Sequence, residues 1–260
     1  MKRKPIKFLL LAIFSLFLVG CGRSQPKDPK PEPKPKLISQ ADLPTVFLTP
    51  YVDKHRLDIT ISNIKAPRMD YQIIYTANIN GNQVERGFGG RDIKVNSNQL
   101  IREGKDAVVF GSESSGKFKY DEGVKNGSIE ITYRDDKGKV TGRASSDWVI
   151  YDSSEKIKAS TADGKITFTP DLKTKATVLL MNTLGLPSSL DGNPVFGPYG
   201  IFTSNNQKIG GTVTIVSGSQ EDINLFSFYQ EAGRWKNTAL QLKPESQTII
   251  QAPVVITGIK

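Results

Sequence analysis

The chain has one cysteine, one histidine and two tryptophans in 260 residues. A lone cysteine, Cys21, allows no disulfide within the chain and no thiolate metal cluster. A lone histidine, His55, excludes HExxH and most zinc sites, which need several ligands. His55 lies between Lys54 and Arg56, and no carboxylate adjoins it to orient the ring for a triad. There is no GxxxxGK[ST] phosphate loop and no GxSxG elbow. No stretch longer than a turn or two has helical periodicity, which argues against an α/β fold. No metal, cofactor or catalytic residue is therefore assigned, and the chain is expected not to be an enzyme.

A nucleic-acid surface is excluded by where the charge lies. The formal net charge is +9. Lys2, Arg3, Lys4 and Lys7 supply +4, and residues 22–37 supply +3. Residues 38–260 hold 26 basic and 24 acidic side chains, too balanced for a phosphate-binding groove. The excess cation density sits near the N-terminus, where it favours anionic lipid or polymer.

What is present begins with that N-terminus. A basic segment precedes Phe8–Gly20, 13 residues without a charge. This is the layout of an export signal, and it falls short of the ~20 residues a membrane-spanning helix needs. Its end, Leu18-Val19-Gly20-Cys21, resembles the lipobox of bacterial lipoproteins. The resemblance implies cleavage before Cys21 and a diacylglyceryl group on its sulfur, with further acylation such as palmitate. Each buried CH₂ contributes about 0.8 kcal/mol, so several chains hold where one would not. The implied location is the cell membrane, lipid-anchored, on the extracytoplasmic side. An ordinary secretory signal with an incidental cysteine is the alternative.

Gln25–Lys36 places prolines at 26, 29, 31, 33 and 35. Such density favours polyproline II, a stiff rise of ~3.1 Å per residue, so residues 22–37 would form a spacer of roughly 50 Å. From Thr45 the period becomes two. Leu57, Ile59 and Ile61 share one face, and Tyr71–Ala77 is β-rich. Asn80-Gly81 signals a two-residue hairpin, with Gln83–Phe88 as the returning strand. Val108–Phe110, Lys117–Tyr120, Ser128–Tyr133 and Val140–Tyr151 continue the series, with a turn at Asp135–Gly138. After a polar break at 152–156 come Lys165–Thr169, Ala176–Met181, Val195–Thr203, Thr212–Val216, Asn224–Gln230 and the apolar positions from Leu240 to Ile256. Leu184–Pro198 reads as a long ordered loop. Many short strands with turns between them predict an all-β chain of two tandem antiparallel sandwiches. The expected division is 1–20 signal peptide, 21–44 lipidated cysteine and linker, 45–152 first sandwich, 153–260 second.

Phe110-Gly111-Ser112, Ser114-Ser115-Gly116, Tyr120 and Gly123–Gly127 resemble Ig-like modules of bacterial surface proteins. Asn182–Pro187, Gly197-Pro198-Tyr199 and Gly233-Arg234-Trp235 are similar to them too. The resemblance implies an immunoglobulin-like or fibronectin type III-like fold and an envelope setting, not an activity.

The glycine clusters Gly87–Arg91 and Gly111–Gly116 read as hairpin or loop tips. Acid pairs at Asp121-Glu122, Asp135-Asp136 and Glu221-Asp222 leave Ca²⁺ binding and glycoside chemistry open, although adjacent strand residues face opposite ways. A Lys–Asn crosslink is also open. Trp148 and Trp235 are expected in the core. Phe88, Tyr199 and Phe202 are the candidate ligand-facing aromatics. The expected role is non-catalytic: a membrane-anchored lipoprotein whose sandwiches serve adhesion, scaffolding or envelope interaction. The partners are membrane lipid, through the diacylglyceryl anchor, and an envelope protein or glycan. A glycan- or small-ligand-binding lipoprotein and an envelope hydrolase with an unfamiliar site are the alternatives.

Overall fold

The computed structural model describes residues 36–152, 158–171, 176–192, 194–218 and 223–260. Cys21, the uncharged run before it and the proline stretch up to Pro35 lie outside them, as do residues 153–156 of the polar break and Glu221-Asp222. Strands in the first half are β1 (Thr45–Pro50), β2 (Arg56–Ser62), β3 (Arg68–Ile79), β4 (Asn82–Lys94), β5 (Leu100–Arg102), β6 (Val108–Val109), β7 (Gly111–Ser114), β8 (Lys117–Tyr120), β9 (Asn126–Arg134) and β10 (Val140–Asp152). The second half adds β11 (Ala159–Ser160), β12 (Ile166–Pro170), β13 (Thr177–Asn182), β14 (Pro194–Thr203), β15 (Ile209–Ile215), β16 (Ile223–Tyr229), β17 (Arg234–Leu242), β18 (Ser246–Ala252) and β19 (Val254–Ile259). The chain is all-β, with antiparallel sheets packed as β-sandwich layers.

One sheet organises the molecule. Its nine strands run β17-β16-β19-β14-β13-β10-β9-β3-β4. A sheet of β1, β2, β5 and β6 packs on it, as does another of β11, β12, β15 and β18. Side-chain alternation shows that the two small sheets cover opposite faces. Leu179 and Met181 of β13 belong to the core beneath β1–β2, with Ile73, Ile131 and Trp148. Val178 and Leu180, their neighbours on the same strand, belong to the other core, with Phe168, Val213 and Ile250. β19 divides likewise, Val255 to one core and Val254 and Ile256 to the other. Strands covered on both faces cannot alternate, and β19 is buried at every position. The expected boundary at 153 falls between β10 and β11, and β10 pairs with β13 across it, Trp148 opposite Met181.

The turn chemistry is local. Asn80 (φ 53°) and Gly81 (φ 84°) take positive φ and set Ile79 opposite Asn82. Asp135 Oδ1 accepts from the backbone N–H groups of Lys137 and Lys139, and Gly138 takes φ 79°, which closes β9 onto β10. Ser115-Gly116 turns β7 into β8, so Gly111–Gly116 is a hairpin end. Gly87–Arg91 is not. It lies within β4, paired with β3 from Asn82 to Lys94, so the returning strand outruns Gln83–Phe88. Cross-strand pairing overrides the weak strand preference of glycine. The expected loop Leu184–Pro198 also gives up its end, because β14 starts at Pro194.

The body takes hold of the chain before Thr45. Arg143 N–H donates to the Lys36 carbonyl at 3.0 Å, and Ile38 N–H donates to the Arg143 carbonyl at 3.0 Å. Ile38 and Leu43 pack against the first core. Tyr133 Oη donates to the Asp42 carbonyl at 3.1 Å, and burial pushes that phenol up to about 12.

Candidate functional site

A groove of about 800 Å³ lies on the outward face of β3, β4, β9 and β10. Strand alternation builds it. Met69, Tyr71 and Ile73 of β3 and Ile129, Ile131 and Tyr133 of β9 point into the core. Asp70 and Gln72 therefore point out, as do Glu130, Thr132 and Arg134. In register, Gln72 faces Gly89 on one side and Glu130 on the other. Gly87 and Gly89 have the outward parity of β4, so that strand contributes backbone where side chains would otherwise stand. The result is a polar trough with a glycine edge, walled by Arg91, Arg134 and Arg143 and by Glu130.

Its charges are partly fixed. Arg134 Nε and Nη2 donate to Asp70 at 2.9 and 2.5 Å, a bidentate pair. Asp92 N–H adds a third bond at 2.7 Å. The Arg134 guanidinium first, and that N–H after it, hold the Asp70 carboxyl below the usual carboxylate range. Arg68 pairs with Asp92 alongside. Chemically, the groove offers guanidinium, carboxylate, amide and hydroxyl groups on a rigid sheet, suited to holding a polar ligand.

A second cleft, about 360 Å³, lies at one end of the same layers, between the β1–β2 turn, the loop before β9 and the end of β10. It contains His55, and a carboxylate does reach the ring, contrary to the expectation from its immediate neighbours. Asp53, two residues upstream, accepts from His55 N–H at 3.0 Å and places Oδ2 3.6 Å from Nδ1. The turn folds this carboxylate back onto the ring, which stacks on Tyr120 at 4.2 Å and 3°. Asp121 also lines the cleft, but its carboxylate is engaged. Tyr75 Oη donates to it at 2.9 Å, and Arg86 Nε lies 3.4 Å away. Burial, then Asp121, pushes the Tyr75 phenol up to about 12. The cleft lining contains no serine, threonine or cysteine to act as a nucleophile. Among the described residues no group of three or more His, Cys, Asp or Glu is placed to hold a metal ion.

The three aromatics have separate fates. Phe88 borders the large groove and is 37% exposed, its ring leaning on Tyr71 at 6.4 Å. It belongs to the inward set by register, opposite Ile73, and is left half-covered because β4 is an edge. Tyr199 and Phe202 are buried, 3% and 2% exposed. Tyr199 Oη donates to Asp163 at 2.5 Å. Burial alone would raise Asp163, but hydrogen bonds from Thr161 and Tyr199 outweigh it and hold the carboxyl low. Phe202 packs on Phe47 at 5.7 Å. Trp148 is fully buried against Phe110, and Trp235 packs on Phe228 while its Nε1–H donates to the Ser188 carbonyl at 3.3 Å. The groove itself escaped the sequence reading. Its signal was the glycine spacing 87 and 89, which in a continuous strand clears one face. Comparison with known protein families, curated proteins and solved structures finds no match to this chain.

Proposed function

We propose that this chain is a lipid-anchored envelope protein whose β-sandwich body holds a partner without transforming it. The carrying observation is Leu18-Val19-Gly20-Cys21 closing a 13-residue apolar run, ahead of a proline spacer. Firm attachment of the body to the chain from Lys36 onward supports the reading, because a spacer transmits position only if its far end is fixed. The partner is an envelope protein or glycan, presented to the sheet surfaces. Labelled palmitate should enter the wild-type chain and be lost on Cys21→Ala, with the variant released from membranes by mild buffer. A wild-type chain that takes up no label and washes off freely would end the proposal.

Glycan binding is the second reading, favoured by the 800 Å³ groove with Gln72, Glu130 and Thr132 in adjacent register positions. Hydroxyl-rich ligands are matched by such donor and acceptor arrays. Full-length chain in detergent, retained on envelope polysaccharide and released by Glu130→Ala with Arg143→Ala, would support it. Equal retention of the double variant would remove the groove from consideration.

A further inference from the structure

We propose that β4 is a self-pairing edge, through which two copies of this chain join antiparallel about a dyad at Phe88. β4 ends the nine-stranded sheet; its 13 residues pair with β3 at all but Arg91 and Asp92, and among the described residues no strand pairs with its other side. Such an edge offers a row of backbone donors and acceptors to another strand. Proteins usually blunt it with proline, charged side chains, a bulge or a short strand. β4 has no proline, its only lysine is the last residue, Lys94, and its other charges, Glu85, Arg86, Arg91 and Asp92, are of both signs, so that two copies need not repel. Its register break falls between Gly90 and Ile93, at Arg91 and Asp92, and leaves Asn82–Gly90 regular. Val84 and Phe88, on one face of that middle, are 36% and 37% exposed.

The occupant follows from the order of residues. A dyad perpendicular to the sheet sets like faces opposite one another, so facing residues share parity. Centred on Phe88, the pairing puts Phe88 against its own copy and Gly87 against Gly89 of the other chain. It also brings Glu85 to Arg91, the first residue past the regular segment, twice. Opposite charges facing across strands stabilise, and like charges destabilise. The neighbouring registers do worse. Centring on Gly87 leaves Glu85 opposite Gly89. Centring on Gly89 sets Arg86 opposite Asp92, but Arg86 is already beside Asp121 and Asp92 is held by Arg68. The glycines let the backbones approach without side-chain obstruction, and the two half-covered phenylalanines complete each other's burial. The pairing does not depend on the anchor.

Cysteine placement tests it in the full-length chain in its own membranes, with Cys21 present throughout and wild type as control. Phe88→Cys lies on the dyad and should yield a disulfide-linked species of twice the mass under mild oxidation. Val84→Cys, which would face Asp92, should not. Glu85→Cys with Arg91→Cys, which keeps the phenylalanine, should cross-link as well. In the Phe88→Cys chain, Glu85→Arg should lower the cross-linked fraction about tenfold, since two attractive pairs become repulsive. Adding Arg91→Glu should restore it. Absence of cross-links in both the Phe88 and the Glu85/Arg91 variants would overturn the proposal. So would equal cross-linking at Val84, or a charge reversal without effect.

Discussion

Trp148 shows how much one side chain can settle. Its ring is fully buried, stacks on Phe110 at 5.9 Å, and lies where a Cβ on Gly127 would meet it at 2.3 Å. The indole and the glycine are one feature, since β9 carries no side chain where the ring crosses it. Trp148→Ala should cost about 3–5 kcal/mol, as large aromatic deletions in cores do, read as a lowered denaturation midpoint at unchanged slope. At Asp70, the folded carboxyl titrates below its unfolded value, near 3.9, because Arg134 favours the anion. The stabilisation is therefore complete above the unfolded value and is lost as pH falls through the lower folded one. Asp70→Asn should lower the melting temperature at neutral pH, and the gap from wild type should close below about pH 4. A gap that persisted after Asp70 itself had been protonated in the folded chain, followed by its side-chain NMR shift, would assign the loss to packing. These residues were partly legible. Trp148 was placed in the core from its bulk alone. The Asp70–Arg134 pair was not, since 64 positions separate the partners.

At the scale of elements, the hairpins were the most readable parts, because their determinants are adjacent in sequence. Asn80-Gly81 needs positive φ at both positions and has it. A Cβ at Gly81 would meet nothing within 4 Å, so substitution there tests backbone strain alone. Gly81→Ala should destabilise by about 1–2 kcal/mol, measured by urea unfolding, with β3–β4 pairing retained. The Gly87–Arg91 segment was unreadable for the opposite reason. Glycine carries almost no strand signal, and only the register with Tyr71, Gln72, Ile73 and Ile74 holds it extended. The groove and the open edge both follow from that segment being strand. The sequence marks Ala176–Met181 as a strand and Val254, Val255 and Ile256 as apolar positions, but not that β13 and β19 are covered on both faces, because an unbroken apolar stretch does not say what lies on either side.

For the whole molecule, the decisive feature is the shared sheet. The two cores meet back to back through β13, where Leu179 faces one and Leu180 the other. Damage to one core should therefore be felt in the other. Leu180→Ala should cost about 2–5 kcal/mol, and the loss should appear in Trp148 fluorescence, although Trp148 belongs to the opposite core. Coincident unfolding by fluorescence and far-ultraviolet dichroism would show one cooperative unit. A Trp148 transition unmoved by Leu180→Ala would show two independent ones.

The sequence by itself determined the strand periodicity, the hairpin turns, the uncharged run ahead of the single cysteine and the absence of the phosphate-loop, nucleophile-elbow and HExxH motifs. All of these depend on residues near one another in the chain. The tertiary structure decided which strands neighbour which. It thereby set one sheet through both halves, a small sheet on each face, the Asp53 carboxylate beside His55 and the polar trough over Gly87 and Gly89. The physical reason is that side-chain alternation assigns residues to faces but does not identify what covers each face, and that is fixed only when distant strands pair.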